Sequence, residues 1–158
     1  MREKSRSSPV PQKLYRVVHR DYTDAPLPSR SNTGRFHTEK GSATYLVASP
    51  ETAWKEVLTR FQAKRESFRM IAVEVKTGEL KVADLTDPSI QSYYGVDTSL
   101  LTDANHAACQ QLAIRLRADG FHAIWTYSRA DYPDGRVLIV FLDVIDVERI
   151  FTGIIETP

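Results

Sequence analysis

The sequence predicts a single compact α+β domain, on three grounds. Strand-like runs rich in β-branched and aromatic residues are interspersed with stretches of helical period. Several links are of hairpin length and few could hold a βαβ crossover, which disfavours a doubly wound sheet. A chain of 158 residues with 42% hydrophobic content also has the material for one buried core.

Residues 1–12 read as a flexible arm, because Ser7, Ser8, Pro9 and Pro11 break any periodicity and little apolar surface is present to bury. The domain is expected over 13–158. Leu14-Tyr15-Arg16-Val17-Val18-His19 has strand composition. A polar, proline-containing loop follows over 21–33 and leads into Gly34-Arg35-Phe36-His37. Loops of that length inside compact domains are more often functional than neutral.

A second strand is expected over 43–48. Ser49-Pro50-Glu51 then supplies an N-cap, a first-turn proline and an early acid, so a helix should start at Pro50. In it Trp54, Val57, Leu58 and Phe61 recur at i, i+3, i+4 and i+7 as one apolar stripe. Strand-like runs over 68–76 and 80–85, joined by Thr77-Gly78-Glu79, predict a hairpin. Asp84 opens a polar segment.

Asp103 is placed to cap a helix ending near Asp119, with Ala108, Cys109, Leu112 and Leu116 on one face and Gly120 as its terminator. Strands are expected over 122–128 and 136–147, around a loop carrying Asp131, Pro133, Asp134 and Gly135. The unbroken apolar run from Val137 to Leu142 suits an interior strand.

Composition excludes several classes of function. Lysine and arginine number 21 against 20 acids, so no bulk charge draws the chain to nucleic acid or an anionic membrane. Cys109 is the only cysteine, which rules out an internal disulfide and suits a reducing, cytoplasmic setting. His19, His37, His106 and His122 show no metal-binding spacing, so no metal is expected. No stretch has the apolar length of a signal peptide or a membrane span. Phosphate-binding glycine loops and the GxSxG elbow are also missing.

What remains is a set of polar residues at element edges. Arg35 offers a fork of donors suited to phosphate or carboxylate, with Gly34 leaving room for close approach; the alternative is a solvated loop arginine. Tyr45 could stack on a heterocycle or pack in the core. Glu56 lies about 160° around the helix from Trp54 at about 100° per residue, so it faces water, pairing with Arg60, or a cleft. Ser128 could orient a ribose or a neighbouring carboxylate, or start a turn. Arg16 interrupts an apolar strand and needs a partner, either a bound anion or a salt bridge. In the cluster Asn105, His106, Gln110 and Gln111, capping and a wet helix face compete with a substrate-amide contact by Gln110.

Read as a set, these residues resemble the RES-domain family. The match runs from Leu14-Tyr15-Arg16-Val17-Val18 through Gly34-Arg35-Phe36, Ala43-Thr44-Tyr45-Leu46-Val47-Ala48-Ser49 and Thr52-Ala53-Trp54-Lys55-Glu56-Val57 to Gly120-Phe121 and Trp125-Thr126-Tyr127-Ser128. The family's arginine falls on Arg35, its tyrosine on Tyr45, its glutamate on Glu56 and its serine on Ser128. Phe36 stands where the family usually has tryptophan, and the segment between Arg35 and Tyr45 lacks the usual proline-containing pattern.

The resemblance implies a mixed, split sheet similar to that of ADP-ribosyltransferase toxins. It also implies a cytoplasmic toxin of a toxin-antitoxin pair that cleaves the nicotinamide-ribose bond of NAD⁺. NAD⁺ would be the substrate, with no further cofactor and no metal, and the partner a helix-turn-helix antitoxin. The acceptor, whether water, phosphate or a protein side chain, stays open. On the resemblance, Glu56 would stabilise the cationic transition state, Arg35 grip the pyrophosphate, Tyr45 stack on nicotinamide and Ser128 hold Glu56 or the ribose; Arg16 and Gln110 are further candidate NAD⁺ contacts. A non-catalytic ADP-ribose or nucleotide-binding module would need Arg35 and Tyr45 but not Glu56. A nucleic-acid-directed toxin would instead set Arg65, Arg69, Arg115 and Arg117 on phosphates.

Overall fold

The computed structural model describes residues 9–22, 43–61, 65–102 and 107–157. Among these described residues, seven strands form one sheet: β1 (Lys13–His19), β2 (Ala43–Val47), β3 (Phe68–Val75), β4 (Val82–Asp84), β5 (Ala123–Tyr127), β6 (Arg136–Phe141) and β7 (Phe151–Thr157). Their order is β4-β5-β6-β2-β1-β3-β7. β4 pairs parallel with β5, and the other neighbours pair antiparallel, so the sheet is mixed. The helices are α1 (Pro50–Phe61), α2 (Pro88–Tyr94), α3 (Thr98–Thr102), α4 (Ala107–Ala118) and α5 (Val147–Ile150).

Strict alternation sorts the strands onto two cores. In β6, Val137, Ile139 and Phe141 face a core shared with Ala53 and Val57 of α1 and Cys109, Leu112, Ala113 and Leu116 of α4. Leu138 and Val140 face the other side, where Val10, Leu80, Ile145, Ile150 and Phe151 cover the sheet. This double burial explains why the β6 run is apolar throughout. Of the face expected on α4, Ala108 is exposed, and the buried ridge passes through Ala113 instead.

The sheet divides between β1 and β2. Those strands share one register pair, Tyr15 with Val47, whereas β1 and β3 share a run from Lys13↔Glu74 to His19↔Phe68. A continued ladder would next set Val17 against Tyr45; the Tyr45 carbonyl instead accepts from the Arg16 guanidinium at 3.0 Å. The donor lost where the strands part is thus replaced by a side chain, which keeps the half-buried carbonyl satisfied.

Local signals placed most elements well, and α1 begins at Pro50, with the Thr52 amide donating to Ser49 Oγ at 3.1 Å. The expected hairpin over 68–85 does not form. β3 lies between β1 and β7, while β4 sits at the opposite edge of the sheet beside β5. The neighbour that Thr77-Gly78-Glu79 seemed to promise β3 is supplied by β7, and those three residues make a 3₁₀ turn. The strand expected over 136–147 stops at Phe141, whose carbonyl accepts from the amides of Val144 and Ile145 in a turn. The polar segment after Asp84 holds α2 and α3. α2 is capped by Asp87, whose side chain accepts from the Ser89 amide, and closed by Gly95 at φ 69°. Residues 9–12, counted above with the arm, carry a buried Val10, and the Gln12 carbonyl accepts from the Val75 amide at 2.7 Å.

Candidate active site

Glu56 sits in the second turn of α1, half-buried and off the apolar stripe, as its helical angle requires. Ser128 follows the last residue of β5 and is fully buried. Its hydroxyl donates to Glu56 Oε2 at 2.6 Å, a short charge-assisted hydrogen bond. The carboxylate-orienting alternative for Ser128 is therefore realised, with Glu56 as the carboxylate. Ser128 is positioned in turn by its backbone, its amide donating to the Gly135 carbonyl at 2.9 Å.

Tyr45 is half-buried and packs against the helix-side core, the side on which α1 lies, with Ile139 as its cross-strand neighbour. Arg16 reaches the same strand through the Tyr45 carbonyl, so the split between β1 and β2 is held by a residue singled out as an anion contact. Gln110 lies on α4 beside buried Cys109, half-buried itself. Arg35, with Gly34, Phe36 and His37, lies outside the described residues, as do Asn105, His106 and the loop from residue 23 onward.

Sequence reasoning missed a second cluster one helical turn before Glu56. Asp131 Oδ2 accepts from Thr52 Oγ1 at 2.7 Å, and Oδ1 accepts from Lys55 Nζ at 2.8 Å. These two bonds, Lys55 first and Thr52 second, hold the Asp131 carboxyl below the usual carboxylate range. The same Asp131 bond and charge raise the Lys55 ammonium above its ordinary value. No local pattern marks this pairing, since Thr52 and Asp131 lie 79 residues apart. Among the described residues, no group of three or more His, Cys, Asp or Glu side chains is arranged to hold a metal ion.

A family model for the RES domain matches residues 13–152, nearly the whole described fold. The chain belongs to the RES-domain family. Among solved structures, this RES domain is similar in fold to a chain of the M. tuberculosis MbcT-MbcA toxin-antitoxin complex. The TM-score is 0.69 at 18% sequence identity, over 92% of this chain and 84% of that one. No curated protein matches this chain as a relative. Within the described residues, no helix of the RES domain is long and apolar enough to cross a membrane.

Proposed function

We propose that this RES domain is the toxin of a toxin-antitoxin pair and that it breaks the nicotinamide-ribose bond of NAD⁺. The observation that carries the proposal is the half-buried Glu56 carboxylate held by the buried Ser128 hydroxyl at 2.6 Å. Family membership and the likeness in fold to a toxin-antitoxin complex support it.

Cleavage of an N-glycosidic bond develops oxocarbenium character on the ribose, which a fixed carboxylate stabilises. Glycosidases that expel an alkoxide need a second carboxyl group as general acid. NAD⁺ needs none, because nicotinamide leaves as a neutral base that takes the bonding electron pair onto its positively charged ring nitrogen. One oriented carboxylate is then sufficient. Water adding to the ribose carbon gives ADP-ribose and releases a proton; phosphate in its place gives the ADP-ribose phosphate ester.

In this account Glu56 faces the ribose, Ser128 fixes the Glu56 carboxylate, Tyr45 stacks on nicotinamide and Arg35 grips the pyrophosphate. Arg16 and Gln110 are secondary contacts to the anion and the amide. NAD⁺ is consumed as substrate, no metal or further cofactor takes part, and a helix-turn-helix antitoxin neutralises the toxin in the cytoplasm. Direct action on nucleic acid is disfavoured by where the arginines are spent. Arg117 pairs with Asp143, Arg115 and Arg69 donate to backbone carbonyls, and Arg65 stacks on Trp54 at 4.1 Å.

The test is incubation of the purified chain with NAD⁺, with and without phosphate, with products separated by chromatography. Nicotinamide with ADP-ribose, or with its phosphate ester, is expected and names the acceptor. NAD⁺ bound but unchanged would replace this reading by a nucleotide-binding module.

A further inference from the structure

Helix α1 and the loop after β5 are joined at two points, not one. Ser128 bonds Glu56, and three residues later Asp131 bonds Thr52 and Lys55. Thr52, Lys55 and Glu56 stand at i, i+3 and i+4, so the loop grips one ridge of the helix over a full turn. The loop is also closed on itself. The Asp131 amide donates to the Ser128 carbonyl at 3.3 Å, the Gly135 amide to the Asp131 carbonyl at 2.6 Å and the Ser128 amide to the Gly135 carbonyl at 2.9 Å.

Gly135 makes that closure sterically possible. A Cβ there would lie 2.7 Å from Asp131 Cβ, 2.9 Å from the Asp131 carbonyl oxygen and 3.0 Å from Thr52 Cγ2. The hydrogen bonds at Thr52 also have a fixed direction. Thr52 has one hydroxyl proton and gives it to Asp131, so in the 3.0 Å contact between the two hydroxyls Ser49 is the donor. Thr52 is 2% exposed, and both sides of its hydroxyl are engaged, the proton by Asp131 and a lone pair by Ser49. What Asp131 adds is a link from the helix to the segment that carries Ser128.

A glutamate has several rotatable bonds, and one hydroxyl on an otherwise untethered loop would hold its carboxylate poorly. We propose that Asp131 is a positioning residue for Glu56: through Thr52 and Lys55 it fixes the loop on α1, so that the Ser128 hydroxyl meets the Glu56 carboxylate in one orientation. Its kinetic consequence rests on the reading of Glu56 given above, but the positioning itself does not.

The test uses Asp131→Asn and Thr52→Val, both near-isosteric, and Thr52→Ser as the conservative control, in the full chain. Crystal structures of the folded variants read the Ser128 Oγ to Glu56 Oε2 distance, and steady-state kinetics on NAD⁺ read turnover. In Thr52→Val and Asp131→Asn the contact is expected to open beyond about 3.5 Å, the limit of a hydrogen bond. The kcat should fall about tenfold to a hundredfold with KM within about twofold, and Thr52→Ser should keep both contact and turnover. An opened contact without any effect on nicotinamide release would uphold the positioning and sink the catalytic role of Glu56 instead. A Ser128–Glu56 contact that survives in both variants overturns the proposal, whatever happens to turnover.

Discussion

Ser128 and Glu56 are 72 residues apart in sequence and 2.6 Å apart in the fold, the serine fully buried and the glutamate half-buried. Burial gives the serine hydroxyl no ready access to water, so its proton is directed at the carboxylate. That direction fixes the position of one oxygen of Glu56.

Replacing Ser128 by alanine removes the donor without adding bulk. The variant should fold, lose about 1.5–3 kcal/mol of stability as expected for a hydrogen bond to a charged group, and release nicotinamide about tenfold to a hundredfold more slowly. Thermal melts and steady-state kinetics check the two effects separately, and an unfolded Ser128→Ala protein would remove the case for a supporting role in turnover.

Gly135→Ala should be costly for a different reason. The added methyl would press on both the side chain and the carbonyl of Asp131 at distances that Cβ atoms do not tolerate. Overpacking of this kind costs about 1–3 kcal/mol, and each kcal/mol lowers Tm by about 2–4 °C in a domain of this size. A melt unchanged from the native protein would show that the loop does not close against α1 as described.

The attachment through Asp131 should also define a pH window. Its carboxyl is lowered in the fold from an ordinary value of 3.8, so the ionised form stabilises the native state; that contribution is present above 3.8 and is lost as pH falls through the depressed folded value. Lys55 is raised from 10.5, so its share is present below 10.5 and is lost as pH rises through the higher folded value. The difference in urea midpoint between native protein and Asp131→Asn should therefore be constant in the neutral range and shrink in acid. A difference that persists unchanged well below pH 3.8 would contradict the assignment.

Tyr94 gives a test of the packing of α2 on α4. Burial, and after it the bond from its hydroxyl to Asp119 Oδ2 at 2.6 Å, push its pKa up from 10.0 to about 12. The protonated phenol stabilises the fold fully below pH 10 and loses that effect as pH rises through about 12. Ultraviolet titration should show Tyr94 ionising near pH 12, and Tyr94→Phe should reduce the amplitude of that late step by one tyrosine. A titration with no late step, or one whose amplitude is unchanged in Tyr94→Phe, would contradict it.

The elements whose boundaries are written locally were legible in the sequence. Ser49-Pro50-Glu51 starts α1 where expected, and Gly120, at φ 89°, lies just beyond α4 where a C-terminal glycine was expected. What escaped was settled by distant partners. Gly78 promised a hairpin, but the free edge of β3 goes to β7, a strand whose own sequence is interrupted by Gly153. β6 ends before the expected limit, and nothing in its apolar run announces the turn at Phe141; Asp143 there is engaged by Arg117 from α4. At the site, helical angle alone put Glu56 off the core, yet the family resemblance was needed to join it to Ser128. Asp131 reads in the sequence only as a loop residue, because its partners Thr52 and Lys55 lie 79 and 76 residues away.

The most direct test of the account is nicotinamide release from NAD⁺ by the native chain and by Glu56→Gln, with circular dichroism to establish that both are folded. Loss of the carboxylate charge with the shape retained should lower kcat by about a hundredfold to a thousandfold while NAD⁺ still binds. Equal release by the two proteins would contradict the assignment of Glu56 as the group that stabilises the breaking bond.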